Sequence, residues 1–328
     1  MTLLNVLQDK LSGKNIKIVL PEGEDERVLT AATQLHKTDY VSPILLGNKE
    51  KVQALADDKG LDISDIELID PENSELKDEL VSAFVERRKG KATEEDAKEQ
   101  LKDVNYFGTM LVYTGKAEGF VSGAAHSTGD TVRPALQIIK TKEGVSKTSG
   151  IFFMIKDDKQ YIFGDCVINP TLEAPDLAEI AVESAKSAKS FGMEPRIAML
   201  SFSTKGSAKS EDVEKVSTAV QMAQEKIASE QMDDVVIDGE FQFDAAIMPE
   251  VAKKKAPDAK LQGDANVFVF PSLEAGNIGY KIAQRLGGYD AVGPVLQGLN
   301  SPVNDLSRGC STEDVYNLSI ITAAQALQ

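Results

Sequence analysis

Short apolar runs alternate with amphipathic ones along most of the chain. Residues 16–20 read as a strand, Pro21-Glu22-Gly23 turns it, and residues 24–35 put Val28, Ala31, Ala32 and Leu35 on one helical face. Residues 42–46 and 66–69 have strand character, with a helical stretch at 49–57 between them. A charged helical stretch spans about 74–88, and Thr93-Glu94-Glu95-Asp96 carries a capping signature. Residues 119–123 end a further strand. Near Gly144 the pattern changes. Residues 151–156 and 161–163 flank Asp157-Asp158-Lys159-Gln160 and read as a β-hairpin. Alternation then resumes, with helices at 177–190, 211–229, 278–286 and 312–327, and strands at 197–200, 235–237, 267–270 and 291–296.

This order predicts an α/β protein with two three-layer α/β domains and mostly parallel sheets. One domain is expected at 1–143 together with 298–328, the other at 144–297. In such folds ligands sit at the carboxyl ends of strands, and a cleft between the domains is the expected active site.

Composition narrows the chemistry. The chain has 328 residues, a net charge of −16, two cysteines and two histidines. That charge repels nucleic acid and anionic membranes, so neither is expected as a partner. No apolar run is long enough for a membrane span, and the first residues lack a signal-peptide pattern, so a cytoplasmic protein is expected. No metal site is expected either, since H-E-x-x-H and C-x-x-C are missing. An anionic metabolite would need a local cluster of arginines and backbone amides.

Two loop sequences offer one. Ser122-Gly123-Ala124-Ala125-His126-Ser127-Thr128-Gly129-Asp130-Thr131-Val132-Arg133 combines small residues, whose amides can face an anion, with a guanidinium. Ser307-Arg308-Gly309-Cys310-Ser311-Thr312-Glu313-Asp314 follows a turn-rich stretch and runs into the last helix. Asp314 can serve as a base. Alternatively, Ser311 and Asp314 have the spacing of an ordinary capping box, and the pattern alone favours that reading. Ser201-Phe202-Ser203-Thr204-Lys205-Gly206-Ser207 has the chemistry of a phosphate cradle without P-loop spacing, and a plain helix cap is the competing reading. Cys166, Cys310 and His126 are more simply fillers than nucleophiles or acids. Arg87-Arg88-Lys89 reads most simply as a solvated helix end.

Taken together, several segments resemble the phosphate acetyltransferase (phosphotransacetylase) family in its short form. They are 122–135 (SGAAHSTGDTVRPA), 201–208 (SFSTKGSA), 238–246 (DGEFQFDAA), 265–271 (ANVFVFP), 274–281 (EAGNIGYK), 302–314 (PVNDLSRGCSTED) and the opening 19–27 (VLPEGEDER). Phosphate butyryltransferases are similar in outline. The resemblance implies reversible transfer of an acetyl group between acetyl phosphate and coenzyme A. It also implies a fold like that of isocitrate and isopropylmalate dehydrogenases, homodimerisation, and no tightly bound cofactor, coenzyme A being a substrate. It places Asp314 as the base, Ser307 and Arg308 as its active-site companions, and Arg133 and Arg87 as substrate-binding arginines, with Ser127 and Thr131 beside them. The register at Arg87 can shift to Arg88.

The chemistry expected is direct attack in a ternary complex. A thiol pKa near 8.5 and a carboxylate near 3.9 differ by about 4.6 units, roughly 6 kcal/mol, so either partial burial must raise the Asp314 pKa or a nearby cation, Arg308 being the natural one, must stabilise the thiolate. Two rivals are an acyl-cysteine route through Cys310 or Cys166 and a non-catalytic metabolite-binding domain.

Overall fold

The computed structural model describes residues 3–327 and divides into two compact units. One runs up to Lys142 and resumes from Leu299; the other is Glu143–Gly298. No helix among the described residues is long and apolar enough to cross a membrane.

The first unit holds α1 (Leu3–Leu11), β1 (Ile16–Leu20), α2 (Glu26–His36), β2 (Val41–Leu46), α3 (Lys49–Lys59), β3 (Glu67–Ile69), α4 (Lys77–Arg88), α5 (Glu94–Gln100), α6 (Val104–Tyr113), β4 (Gly119–Ser122) and α7 (Thr128–Pro134). Its five-stranded sheet, in the order β11-β4-β1-β2-β3, is parallel throughout, with β11 (Val303–Asp305) supplied by the carboxyl-terminal segment. Helix α13 (Thr312–Gln325) closes this unit.

Period-two alternation on β4 shows why both faces are covered. A Cβ on Gly119 would lie 2.8 Å from Thr322 of α13, while Phe120 on the other face abuts Gly108 of α6, where an added Cβ would lie 2.5 Å from its ring. Helices therefore coat opposite faces of one sheet, giving three layers.

The second unit holds β5 (Ser149–Lys156), β6 (Lys159–Gly164), α8 (Ala174–Ser190), β7 (Arg196–Leu200), α9 (Glu211–Ser229), β8 (Val236–Phe241), α10 (Phe243–Ile247), α11 (Pro249–Lys255), β9 (Val267–Val269), α12 (Leu273–Arg285) and β10 (Asp290–Gln297). The six strands run in the order β10-β5-β6-β9-β7-β8. The hairpin β5–β6 and the pair β10–β5 are antiparallel, and the remaining pairs are parallel. Gly164 packs toward Ile180 and Ser184 of α8. The opposite face is an aromatic core of Phe152, Phe163, Phe241, Phe268 and Phe270.

One difference from the sequence reading bears on the site. Residues 128–134 form a helix rather than a loop. Ser127 and Asp130 make a capping box, with Ser127 Oγ donating to Asp130 Oδ2 at 2.7 Å. Pro134 has no N–H, and the chain continues as a π turn, Ala135–Ile139, closed by Lys140 N donating to Ala135 O at 2.9 Å.

Candidate active site

Strands β1, β4 and β11 are neighbours and parallel, so the segments leaving their carboxyl ends emerge together. Asp305 pairs with Ser122 in register, and Leu306 N donates to Ser122 O at 2.7 Å. The Arg133 segment and the Ser307–Asp314 segment are thereby adjacent within one unit. Gly123 has φ +116, and any Cβ there would lie 2.5 Å from Leu306 O, so only glycine lets the two backbones approach this closely.

Arg27 ties the three segments. It pairs with Asp25 through Nη2 at 2.7 Å, and Nη2 also donates to Ala124 O at 2.7 Å. Nη1 donates to Arg308 O at 2.8 Å and to Cys310 O at 3.0 Å. The Arg27 hydrogen bond, opposed by partial burial, holds the Asp25 carboxyl below the usual carboxylate range. Arg27 is thus committed to holding backbone in place.

The amides at 123–126 are already occupied. Glu22 is buried, and its carboxylate accepts from Gly123 N, Ala124 N (2.9 Å), Ala125 N (2.8 Å) and His126 N (2.9 Å), and bonds His126 Nδ1 at 2.8 Å. Burial pushes its pKa up, but the imidazole and the amides outweigh that and leave it lowered. The same bond raises the His126 pKa against the opposing effect of burial. The anion that this nest binds is therefore the protein's own.

The exposed end of α7 is another matter. Arg133 is exposed and its guanidinium has neither a hydrogen bond nor an ion pair among the described residues, and the same is true of the Arg308 guanidinium. The hydroxyl of Ser127 belongs to its capping box, and Thr131 is fully buried. Arg87 gives Nε to Ile138 O at 2.6 Å and Nη2 to Ile139 O at 3.1 Å, and stacks over Tyr113. The side chain of its neighbour Arg88 makes no hydrogen bond among the described residues, and its buried Nε has no partner. Both Arg133 and Arg88 act on the Tyr106 hydroxyl, where their charge opposes a pKa rise caused mainly by burial. Lys140, crowded by Arg87, Lys89, Lys91 and Arg88, has a lowered pKa, led by the charge of Arg87. In a chain of net charge −16 this is a locally cationic surface.

Asp314 forms the capping box that its spacing predicts. Oδ2 accepts from Ser311 N at 2.7 Å and Ser311 Oγ at 2.9 Å, completing a capping box for α13. Oδ1 has no hydrogen bond and the residue is partly exposed. One oxygen caps the helix and the other is open. Ser307 is exposed, and its Oγ makes only a weak 3.4 Å contact with Gly309 N. Cys310 is buried beside this turn, and desolvation, partly offset by Arg27, pushes its thiol up to about 11. Burial likewise raises the Cys166 thiol well above its ordinary value.

The serine-rich segment after β7 is closed on itself. Glu240 accepts from Gly206 N at 2.7 Å, Ser203 Oγ at 2.9 Å and Ser217 Oγ at 3.0 Å, and Lys205 is bound to Asp238 and to Gly239 O.

Comparison with known proteins places this geometry. The family model for phosphate acetyl/butaryl transferase matches residues 2–323. The chain belongs to that family. As a member it is an enzyme, an acyltransferase. It is 82% identical over 326 residues to a phosphate acetyltransferase of Staphylococcus epidermidis, covering 99% of each chain. A solved phosphotransacetylase from Staphylococcus aureus matches with a TM-score of 0.94 and 80% identity, over 99% of this chain and 98% of that one. At 13% identity and a TM-score of 0.54, a 4-hydroxythreonine-4-phosphate dehydrogenase from Klebsiella pneumoniae, covering 95% of this chain and 99% of its own, shares the fold alone. Within the transferase family frame, Glu22, Arg27 and Asp305 are the residues to which sequence reasoning gave no role. Glu22 and Arg27 lie in the 19–27 segment that carried part of the resemblance; nothing local in their sequence indicates which loops they bind.

Proposed function

We propose that this chain interconverts acetyl phosphate plus coenzyme A with acetyl-CoA plus inorganic phosphate, by direct thiolate attack in a ternary complex. Asp314 Oδ1 takes the thiol proton. The sulfur attacks the acetyl carbonyl, Ser307 donates a hydrogen bond to the developing oxyanion, and phosphate leaves. Arg308 stabilises the thiolate and the phosphoryl group, and Arg133, with Arg88, holds the phosphate. The route needs no metal and no tightly bound cofactor. Arg87, bound to the π turn, supports this surface from behind.

The observation that carries the reading is the open Oδ1 of Asp314, in the first turn of α13, on the same segment as the unpaired guanidinium of Arg308, with the unpaired guanidinium of Arg133 on the segment next to it. The raised thiols of Cys310 and Cys166 favour direct transfer over an acyl-cysteine, because a nucleophilic cysteine must ionise. The test is thioester absorbance from acetyl phosphate and coenzyme A. Folded protein that gives no signal excludes the reading, and a burst of phosphate without coenzyme A would instead favour the acyl-cysteine. Comparing acetyl with butyryl phosphate fixes the acyl preference.

A homodimer in the cytoplasm completes the proposal. Ile278, Ile282 and Leu286 recur every fourth residue along α12 and are 58%, 53% and 86% exposed. A two-fold axis can pair such a stripe with itself. Light scattering of the wild type against Ile282→Glu checks this. A wild-type mass of one chain excludes it.

A further inference from the structure

Asp305 closes β11 and is 2% exposed. No cation pairs with it among the described residues. Its Oδ2 accepts from Thr128 Oγ1 at 2.7 Å, and its Oδ1 is buried with no hydrogen bond. The buried hydroxyl of Thr131 also lacks one. Desolvation lifts the Asp305 carboxyl to about 6, opposed by the bonded Thr128 hydroxyl and the nearby Thr131 hydroxyl and reinforced by the charge of Glu22. A carboxyl placed this way is a cost to the fold, and an apolar side chain would be cheaper. What it does gain is a tie. Thr128 opens the helix that carries Arg133, and Asp305 immediately precedes the Leu306-Ser307-Arg308 turn. The Thr128–Asp305 bond is thus a side-chain link between the two arginine-bearing segments.

We propose that Asp305 is a positioning residue for acyl transfer, holding α7, and with it Arg133, in register with the Ser307–Arg308 turn. It acts through Thr128 and does not meet substrate. The inference rests on the functional reading given above. Groups that share an anion must be held to within a fraction of an ångström, and a hydroxyl–carboxylate bond between otherwise separate segments supplies that constraint.

Steady-state acetyl-CoA formation by the full chain tests it, with Asp305→Ala, Thr128→Val, the double variant, and the conservative Thr128→Ser. Asp305→Ala and Thr128→Val should each lower kcat/KM for acetyl phosphate by about tenfold or more while moving the KM for coenzyme A much less. The double variant should be no worse than its worse parent, because both remove one link. Thr128→Ser, which keeps the hydroxyl, should recover most of the activity that Thr128→Val loses. A multiplicative double variant, wild-type kinetics for Thr128→Val, or a Thr128→Ser enzyme as impaired as Thr128→Val would each overturn the proposal. The Thr128 series carries the test if Asp305→Ala fails to fold. Arg133→Gln and Asp314→Asn in the same assay separate the two readings. If both stay active, the functional reading fails and takes this one with it; if both are impaired while Thr128→Val is not, only the positioning role fails.

Discussion

The segments at 122–133 and 201–208 both follow a parallel strand, both are rich in Ser, Thr and Gly, and both close around a glutamate from the adjacent strand. Glu22 fills the first and Glu240 the second. Burial works against ionising either one, and hydrogen bonding more than reverses this, so both pKa values are lowered. They part company in what remains. Lys205 in the second segment is spent on Asp238 and Gly239 O, whereas the first runs on to Arg133, whose guanidinium is exposed and unpaired, and the neighbouring segment carries the unpaired guanidinium of Arg308. Small hydroxyl residues and open backbone therefore do not make an anion site by themselves. The deciding quantity is cationic charge left over after the protein has satisfied its own carboxylates.

The sharpest test of that contrast is Asp314, the base proposed for the segment adjoining the first. Asp314→Asn keeps a side chain able to cap α13, yet should lower turnover by about 10²–10⁴-fold with little change in substrate affinity. If affinity fell and turnover held, capping would be its whole role. Next come the two cations. Arg133→Gln should lower kcat/KM for acetyl phosphate by about 100-fold, near 2.7 kcal/mol, with the melting temperature almost unchanged. Lys205→Gln should instead lower the melting temperature, because Asp238 is left buried without its partner. A well-folded Lys205→Gln enzyme as slow as Arg133→Gln would erase the distinction.

The glutamates should behave alike in stability. Glu22→Gln and Glu240→Gln each turn an amide N–H₂ toward donors and should cost about 3 kcal/mol in denaturant unfolding. Only Glu22→Gln should also disturb the segment that carries Arg133.

The last effect concerns pH. The Asp305 carboxyl is raised to about 6 in the folded state, so the folded chain holds that proton more tightly than the unfolded chain. Stability from this group falls as pH rises from about 4 to about 6, by about 3 kcal/mol, then levels off. Glu22, being lowered, runs the other way. Its contribution is complete above its unfolded pKa and is lost as pH falls through the folded value. Asp305→Asn should therefore gain stability relative to wild type between pH 4 and 7 in paired thermal melts. A pH-independent difference would show that the carboxyl titrates normally.

Much of the fold could be read from local pattern. The hairpin at β5–β6 follows from two apolar runs flanking a polar turn, and the first parallel strands follow from short apolar runs between amphipathic helices. Helix α7 was missed although Ser127-x-x-Asp130 is a capping signal, because its hydroxyl-rich sequence also reads as loop. Strand β11 was hidden in a turn-rich stretch, since a three-residue strand has no periodicity to detect.

The sequence by itself determined the alternation of strands and helices, the scarcity of thiols and imidazoles, and the residue types available to bind an anion. It could not determine which of those groups remain free. Helix capping is local, so Ser311 and Asp314 announce it within four residues. Ion pairing and amide capture are not local: Glu22 reaches amides at 123–126, and Arg27 reaches carbonyls at 308 and 310. Only the tertiary structure, by setting β1, β4 and β11 side by side, decided that Arg27 and Glu22 are consumed, while Arg133, Arg308 and one oxygen of Asp314 remain free for a ligand.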